Sequence, residues 1–207
     1  DSGMERPGKI VCVGRNYREH AKEMGNEVPA EPLLFFKPAS CVIANGAAIE
    51  MPAGAGRVDY EGEVGVVIGA KLTKASEAQC AAAVRGIVAA NDVSARDWQK
   101  NDGQWARAKG SDTFLPLGEE SRKPHDLAAV TLVTRVNGVE RQRATTADLV
   151  FPIPVLLSFI SRYITLSPND VVLTGTPAGV GPLAANDVVE VEIVGHSQVR
   201  SPVVALA

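Results

Sequence analysis

Asp59-Tyr60-Glu61-Gly62-Glu63-Val64-Gly65-Val66-Val67-Ile68-Gly69 sets two acids against a nearly unbroken apolar run. Residues 63–68 are rich in β-branched side chains and bounded by glycine, which reads as a strand. Side chains two apart in a strand point to one face. Glu61 and Glu63 therefore project together with only Gly62 between them. Two like charges so placed repel and need a reason. A divalent cation is one reason, and a solvated face is the other.

Similar short segments recur along the chain at 9–13, 33–36, 86–90, 131–136, 171–173 and 188–194. Asn137-Gly138, between 131–136 and 139–143, suits a hairpin turn whose two central residues take positive φ. Helices are fewer. Residues 76–85 begin with Ser76 and carry Gln79 three residues on, a capping box, with Gly86 as a stop. Pro154 can open a helix, and Leu156, Phe159, Ile160 and Tyr163 follow at the spacing of one buried face. Residues 18–24 predict a short helix ending at Gly25. Strands and helices do not alternate regularly enough for a doubly wound sheet. The expectation is a mostly β fold with a few helices, of the α+β class.

The chain has 207 residues with 21 basic and 24 acidic side chains, a formal net charge of -3. At roughly 150 residues per domain this is one large domain or two small ones. There is no basic excess to support a nucleic-acid footprint. No run approaches the ~18 apolar residues of a membrane span, and no charged-then-apolar leader opens the chain. Cys12, Cys41 and Cys80 are odd in number and far apart, which predicts small core residues in a reducing compartment, the cytoplasm. Asp1-Ser2-Gly3 ahead of Met4 reads as a cloning remnant. The expected layout is an N-terminal extension over 1–8 and a single domain over 9–207.

Four groups of residues could carry chemistry. The first is Glu61 with Glu63, joined by Asp92 at the end of the buried strand 86–90. Three carboxylates without a cysteine or paired histidines would make a hard oxygen site, suited to Mg²⁺ or Mn²⁺. The second is His20 with Glu23, three apart and on one helical face. A carboxylate beside an imidazole suits a general base for water, although a charged surface helix explains the same residues. The third is Arg96 and Gln99, one helical turn facing the place Asp92 occupies, with Lys109 as a nearby point charge. The fourth is Thr174-Gly175-Thr176-Pro177, where glycine lets the backbone approach a ligand and a hydroxyl with N–H groups can bind a carboxylate. The spacings of nucleotide-binding glycine loops, the hydrolase serine elbow and the helical zinc motif are absent.

Taken together and in order, these strings resemble the fumarylacetoacetate hydrolase family. The matching residues are Gly14-Arg15-Asn16-Tyr17 with His20 and Glu23, and Glu31-Pro32-Leu33-Leu34-Phe35-Phe36-Lys37-Pro38. Glu61-Gly62-Glu63, Asn91-Asp92, Ser94-Ala95-Arg96-Asp97, Lys109 and Thr174-Gly175-Thr176-Pro177 complete them. The resemblance covers roughly residues 9–194. It implies a mixed β-sandwich roll, a homodimer, and one Mg²⁺ or Mn²⁺ held by Glu61, Glu63 and Asp92. It also implies a short, single-domain member, with the segment around His20 and Glu23 acting as a lid.

The activity so implied is C–C hydrolysis of acylpyruvate-type 1,3-diketo acids through a metal-bound pyruvate enolate, with oxaloacetate decarboxylation at the same site. In that scheme His20, oriented by Glu23, takes a proton from water. Lys109 neutralises charge at the reacting carbon with Arg96 and Gln99. Thr176 binds the substrate carboxylate through its hydroxyl and backbone, and Lys37 is a further contributor. The same fold also suits an oxaloacetate tautomerase or a ring-cleavage isomerase or decarboxylase of the 2-hydroxyhepta-2,4-diene-1,7-dioate type. A rival of another class is a non-catalytic module that retains the metal and a 2-oxo acid.

Overall fold

Residues 7–123 and 125–207 are described by a computed structural model. Residues 1–6 of the expected N-terminal extension lie outside the described residues. Two five-stranded sheets form the body. The first runs in the order Leu33–Lys37, Ile10–Gly14, Val171–Leu173, Gly62–Ile68, Val84–Asn91. Its one parallel pair is Ile10–Gly14 with Val171–Leu173, and the rest are antiparallel. The second runs Val139–Thr145, Thr131–Val136, Val188–Ile193, Ser197–Ala205, Ile49–Met51, with the last pair parallel.

The strand Gly62–Ile68 is buried at every position, because both its faces are covered. Val64, Val66 and Ile68 share one apolar cluster with Leu132, Val191 and Ile193 of the second sheet, which makes the sandwich. Leu156, Leu157 and Ile160 of the helix Ile153–Tyr163 join that cluster. Val67 faces a second cluster with Cys12, Val88 and Leu173. Burying each such side chain stabilises the fold by roughly 1.5–3 kcal/mol. The three cysteines are all free and buried.

Local sequence chemistry explains most of the elements. Ser76 caps the helix Glu77–Ala83 in a reciprocal box with Gln79. That helix stops at Ala83, before the expected Gly86, because Val84 already begins the buried strand Val84–Asn91. Asn137 and Gly138 take φ of 51° and 78°, as the hairpin requires. The buried face of Ile153–Tyr163 is Ile153, Leu156, Leu157 and Ile160, rotated from the expected one. Tyr163 is exposed and stacks edge-on with Phe159 at 5.5 Å between ring centroids. Among the described residues no helix is long and apolar enough to cross a membrane.

A smaller three-stranded sheet of Gly181–Pro182, Val58–Tyr60 and Ser94–Ala95 closes one end of the body. It sets Asp59 opposite Ser94 and Tyr60 opposite Gly181. In the large sheet Gly62 pairs with Asn91. These registers bring residues 59–63, 91–96 and 174–181 to one end of the sandwich.

Candidate metal centre and cleft

Glu61 and Glu63 stand at the start of a central strand, where its apolar face ends. Asp92 follows the neighbouring strand, and its N–H donates to the Glu61 carbonyl at 2.8 Å. Ligand atoms of Glu61, Glu63 and Asp92 lie within 4.8 Å of one another, and all three residues are buried. Gly62 is dictated by what lies beneath it: a Cβ there would stand 1.9 Å from Thr134 Oγ1. The Gly62 N–H donates to Gln142 Oε1 at 3.0 Å, and the Glu61 N–H donates to Asn91 Oδ1 at 2.9 Å. The backbone between the two acids is therefore held from both sides.

Four acids, Asp59, Glu61, Glu63 and Asp92, are buried here, and buried charges need partners. Lys37 Nζ donates to Asp92 Oδ1 at 2.6 Å and to the Val93 carbonyl at 3.1 Å. Lys109 Nζ donates to Asp92 Oδ2 at 2.8 Å, Glu61 Oε2 at 3.1 Å and Ser94 Oγ at 2.6 Å. It also sits 4.9 Å from the centre of the Phe35 ring, a cation–π contact. Arg96 donates from Nη2 to Glu61 Oε1 at 2.5 Å, from Nε to Asp59 Oδ2 at 2.9 Å and from Nη1 to Gln99 Oε1 at 2.9 Å. Arg57 clasps Asp59 with two further bonds.

The electrostatics divide the acids. Burial pushes Glu61 up, but Lys109 and Arg96 outweigh it and hold its carboxyl well below the usual range. At Glu63 the Gly175 N–H and Lys109 pull the same way but do not prevail. Burial, with Asp92 and Glu61 beside it, pushes it well above the usual range. Its Oε2 accepts the Gly175 N–H at 2.9 Å, and no cationic side chain pairs with it among the described residues. For Lys109, burial works against the charge, but Asp92 and Glu61 raise it above the usual lysine value. A donor set of three carboxylates that is short of positive charge at Glu63 fits a hard divalent cation.

Glu61 and Glu63 open on a cleft of about 70 Å³, lined also by His20, Arg96, Lys109 and Thr176, whereas Asp92 is fully buried and does not line it. Gln99, Phe35 and Trp105 also line it, with Phe35 and Trp105 edge to face at 5.3 Å. The volume is far below the roughly 300–1,000 Å³ of drug-sized sites. His20 is buried, and its Nδ1 lies 3.4 Å from Glu23 Oε2. The Glu23 carboxylate is held more closely by the Gly179 N–H, at 3.0 and 3.1 Å from its two oxygens.

The structure thus brings the expected residues to one place, with two adjustments. Thr176 Oγ1 donates its proton to the Gly62 carbonyl at 2.8 Å and accepts from Gln142 Nε2 at 2.8 Å. Its hydroxyl proton is engaged, so what it offers a carboxylate is its backbone N–H. Lys37 is buried on the far side of Asp92 and does not line the cleft, so it acts on Asp92.

Three residues that sequence reasoning assigned no role belong to the site. Gln142 joins Gly62 to Thr176 and, through Nε2, to the Pro177 carbonyl at 2.9 Å. Its signal was its inward position opposite Thr134 in the hairpin, hidden among charged neighbours. Asp59 fixes Arg96. Asn16 donates from Nδ2 to the carbonyls of Thr174 at 2.8 Å and Phe151 at 3.1 Å, and accepts the Phe151 N–H at 2.7 Å.

Comparison with known proteins places this geometry. Residues 9–204 match the family described as Fumarylacetoacetate (FAA) hydrolase C-terminal. A protein of Arabidopsis thaliana named mitochondrial oxaloacetate tautomerase FAHD1 is 42% identical over 198 residues, covering 93% of this chain and 89% of its own. Oxaloacetate tautomerase YcgM of Escherichia coli (strain K12) is 42% identical, covering 91% of this chain and 90% of its own. The crystal structure of 2-hydroxyhepta-2,4-diene-1,7-dioate isomerase from Mycobacterium marinum superimposes with a TM-score of 0.89 at 42% identity, covering 97% of this chain and 75% of that one.

Proposed function

This chain belongs to the fumarylacetoacetate hydrolase family, and on that premise we propose that its cleft enolises a small 2-oxo acid with the help of a divalent ion. The leading reaction is keto–enol interconversion of oxaloacetate. The observation that carries this reading is the buried triad of Glu61, Glu63 and Asp92, whose two glutamates line one small cleft with His20 and Lys109. The names of the plant and bacterial relatives support it.

Glu61, Glu63 and Asp92 would hold Mg²⁺ or Mn²⁺, which would supply Lewis acidity to the ketone. The remaining work falls to the chain's own groups. The imidazole of His20 moves the proton at the carbon next to the ketone, a role worth typically 10²- to 10⁴-fold. Lys109 and Arg96, fixed by Glu61, Asp92 and Asp59, keep positive charge beside the reacting centre without reorganising. The Thr176 N–H receives the carboxylate next to the ketone. Phe35 and Trp105 wall the cleft and keep water out.

Hydrolysis of an acylpyruvate-type diketo acid is the second reading, favoured by Glu23 beside His20. It needs an attacking water beside the substrate. Keto–enol interconversion needs only a proton shift, and the names of the plant and bacterial relatives favour it as the first reading.

The deciding experiment follows enol-to-keto conversion of oxaloacetate by ultraviolet absorbance, and acetylpyruvate by proton NMR, each with Mg²⁺. Accelerated conversion that disappears on chelation is expected. Stoichiometric acetate and pyruvate would put hydrolysis first, and no acceleration of either substrate would end the proposal.

A further inference from the structure

We infer that Arg15 receives a second carboxylate of the substrate, which gives the site a preference for 2-oxo acids with two carboxylates. This rests on the 2-oxo acid reading above and names the substrate class within it.

Arg15 lines the same cleft as Glu61, Glu63, His20 and Thr176. The other cations of this region already hold protein partners. Arg96 has a partner at each of its three nitrogens. Lys109 donates to three acceptors and Lys37 to two. Arg15, half-buried, forms no ion pair and no side-chain hydrogen bond among the described residues. A guanidinium left free in a cleft matches a carboxylate with two parallel N–H groups.

The backbone supports a built position. Arg15 takes a φ of 59°, a left-handed conformation that a long side chain rarely adopts and that persists only where surroundings enforce it. The enforcement comes from Asn16, whose side chain is tied to Thr174 and Phe151 and whose carbonyl accepts the Val150 N–H at 2.8 Å. Asn16 also lies against Gly175, where a Cβ would come within 2.8 Å of the Asn16 Cβ. Arg15 is thereby indexed to the turn that holds Glu63.

Charge points the same way. Asp59, Glu61, Glu63 and Asp92 are matched in number by Lys37, Arg57, Arg96 and Lys109. Arg15 stands outside this balance, so its charge is left for a ligand.

The test compares binding and turnover in the Mg²⁺-loaded protein and in Arg15→Gln and Arg15→Lys. Malate and lactate differ by one carboxylate and carry no ketone, so their calorimetric affinities report recognition without chemistry. Native protein is expected to favour malate by about tenfold or more, as a charge-assisted bidentate contact gives. Arg15→Gln should erase that preference, and Arg15→Lys should restore part of it. Oxalate, which reaches only the ion, should bind all three equally. With turnover, Arg15→Gln should raise KM for oxaloacetate about tenfold or more, leave kcat within about threefold, and leave KM for acetylpyruvate unchanged. No preference in the native protein, or the same preference in Arg15→Gln, overturns the inference. A malate preference that depends on Arg15, in a protein that turns over neither oxaloacetate nor acetylpyruvate, leaves the inference standing and removes the enolisation reading.

Discussion

Glu61-Gly62-Glu63 and Glu190-Val191-Glu192 share the Glu-x-Glu pattern and meet different fates. Both place two acids on one face of a strand. Glu190 and Glu192 lie on Val188–Ile193 with side chains 25% and 30% exposed, and a single guanidinium, Arg135, bridges them at 3.1 and 2.8 Å. Glu61 and Glu63 are buried, and only Glu61 is paired with cations. The intervening residue separates the two cases. Val191 points inward to fill the core, whereas Gly62 leaves its space to Thr134 Oγ1 and its N–H to Gln142. A like-charge pair on a wet face needs only one arginine. The same pair in a dry one, with a third carboxylate beside it, leaves Glu63 without a cationic partner among the described residues.

The largest effect expected from this contrast is on turnover. Glu61→Gln, which keeps the shape and removes the charge, should lower Mg²⁺-dependent turnover of oxaloacetate by at least about 100-fold, while the circular dichroism spectrum stays that of a folded protein. Retained turnover would place the two pairs in the same class. Next comes Gly62→Ala, which drives a methyl into Thr134 Oγ1. Overpacking of this kind costs about 1–3 kcal/mol, readable as a lower urea midpoint. Gly62→Ala combined with Thr134→Ala should recover much of the loss, because the clash is removed.

Proton linkage gives a smaller effect. The carboxyl of Glu63 is raised in the metal-free protein by burial and by its acidic neighbours. A raised acid destabilises the fold increasingly as pH climbs past the unfolded carboxylate value of about 4.3, and the penalty vanishes below it. Metal-free Glu63→Gln should therefore unfold at a higher temperature than the native chain at neutral pH, with the gap closing as pH falls toward about 4. Thermal scans across pH in chelator would show a pH-independent gap if the Glu63 carboxyl were unshifted, and a native chain more stable than Glu63→Gln at neutral pH if it were instead held ionised. The smallest effect belongs to the exposed pair. Glu190→Gln should change stability by less than about 1 kcal/mol, and moderate salt should shrink even that. A larger loss in chemical denaturation would mean that Arg135 has a structural task beyond screening.

The contrast also marks what the sequence could reveal. Glu61 and Glu63 stood out because acids abut an apolar run, and Asp92 because it ends another. The strand set, the Ser76–Gln79 cap and the Asn137-Gly138 turn follow from local chemistry, and the family strings extended these to nearly the whole domain. Ser197–Ala205 escaped notice although it is the longest strand, because serines 197 and 201 occupy inward positions and Pro202 interrupts it. Gln142 looked like one polar residue among Glu140, Arg141 and Arg143. Its partners Gly62, Thr176 and Pro177 lie 80, 34 and 35 residues away, a distance at which no periodicity speaks. Lys37 is nearly inaccessible for a similar reason: its burial makes sense only once Asp92 stands beside it. Pairing across the sheets decides these residues, and pairing is a property of the folded chain.

The most direct test of the metal centre is a calorimetric titration of Mn²⁺ into the native chain, Glu63→Gln and Glu192→Gln. If the buried triad is the site, the native chain and Glu192→Gln bind one ion per chain with the same affinity, and Glu63→Gln binds at least about tenfold more weakly. Equal affinity in Glu63→Gln would contradict the account, because the ion would then lie somewhere other than between Glu61, Glu63 and Asp92.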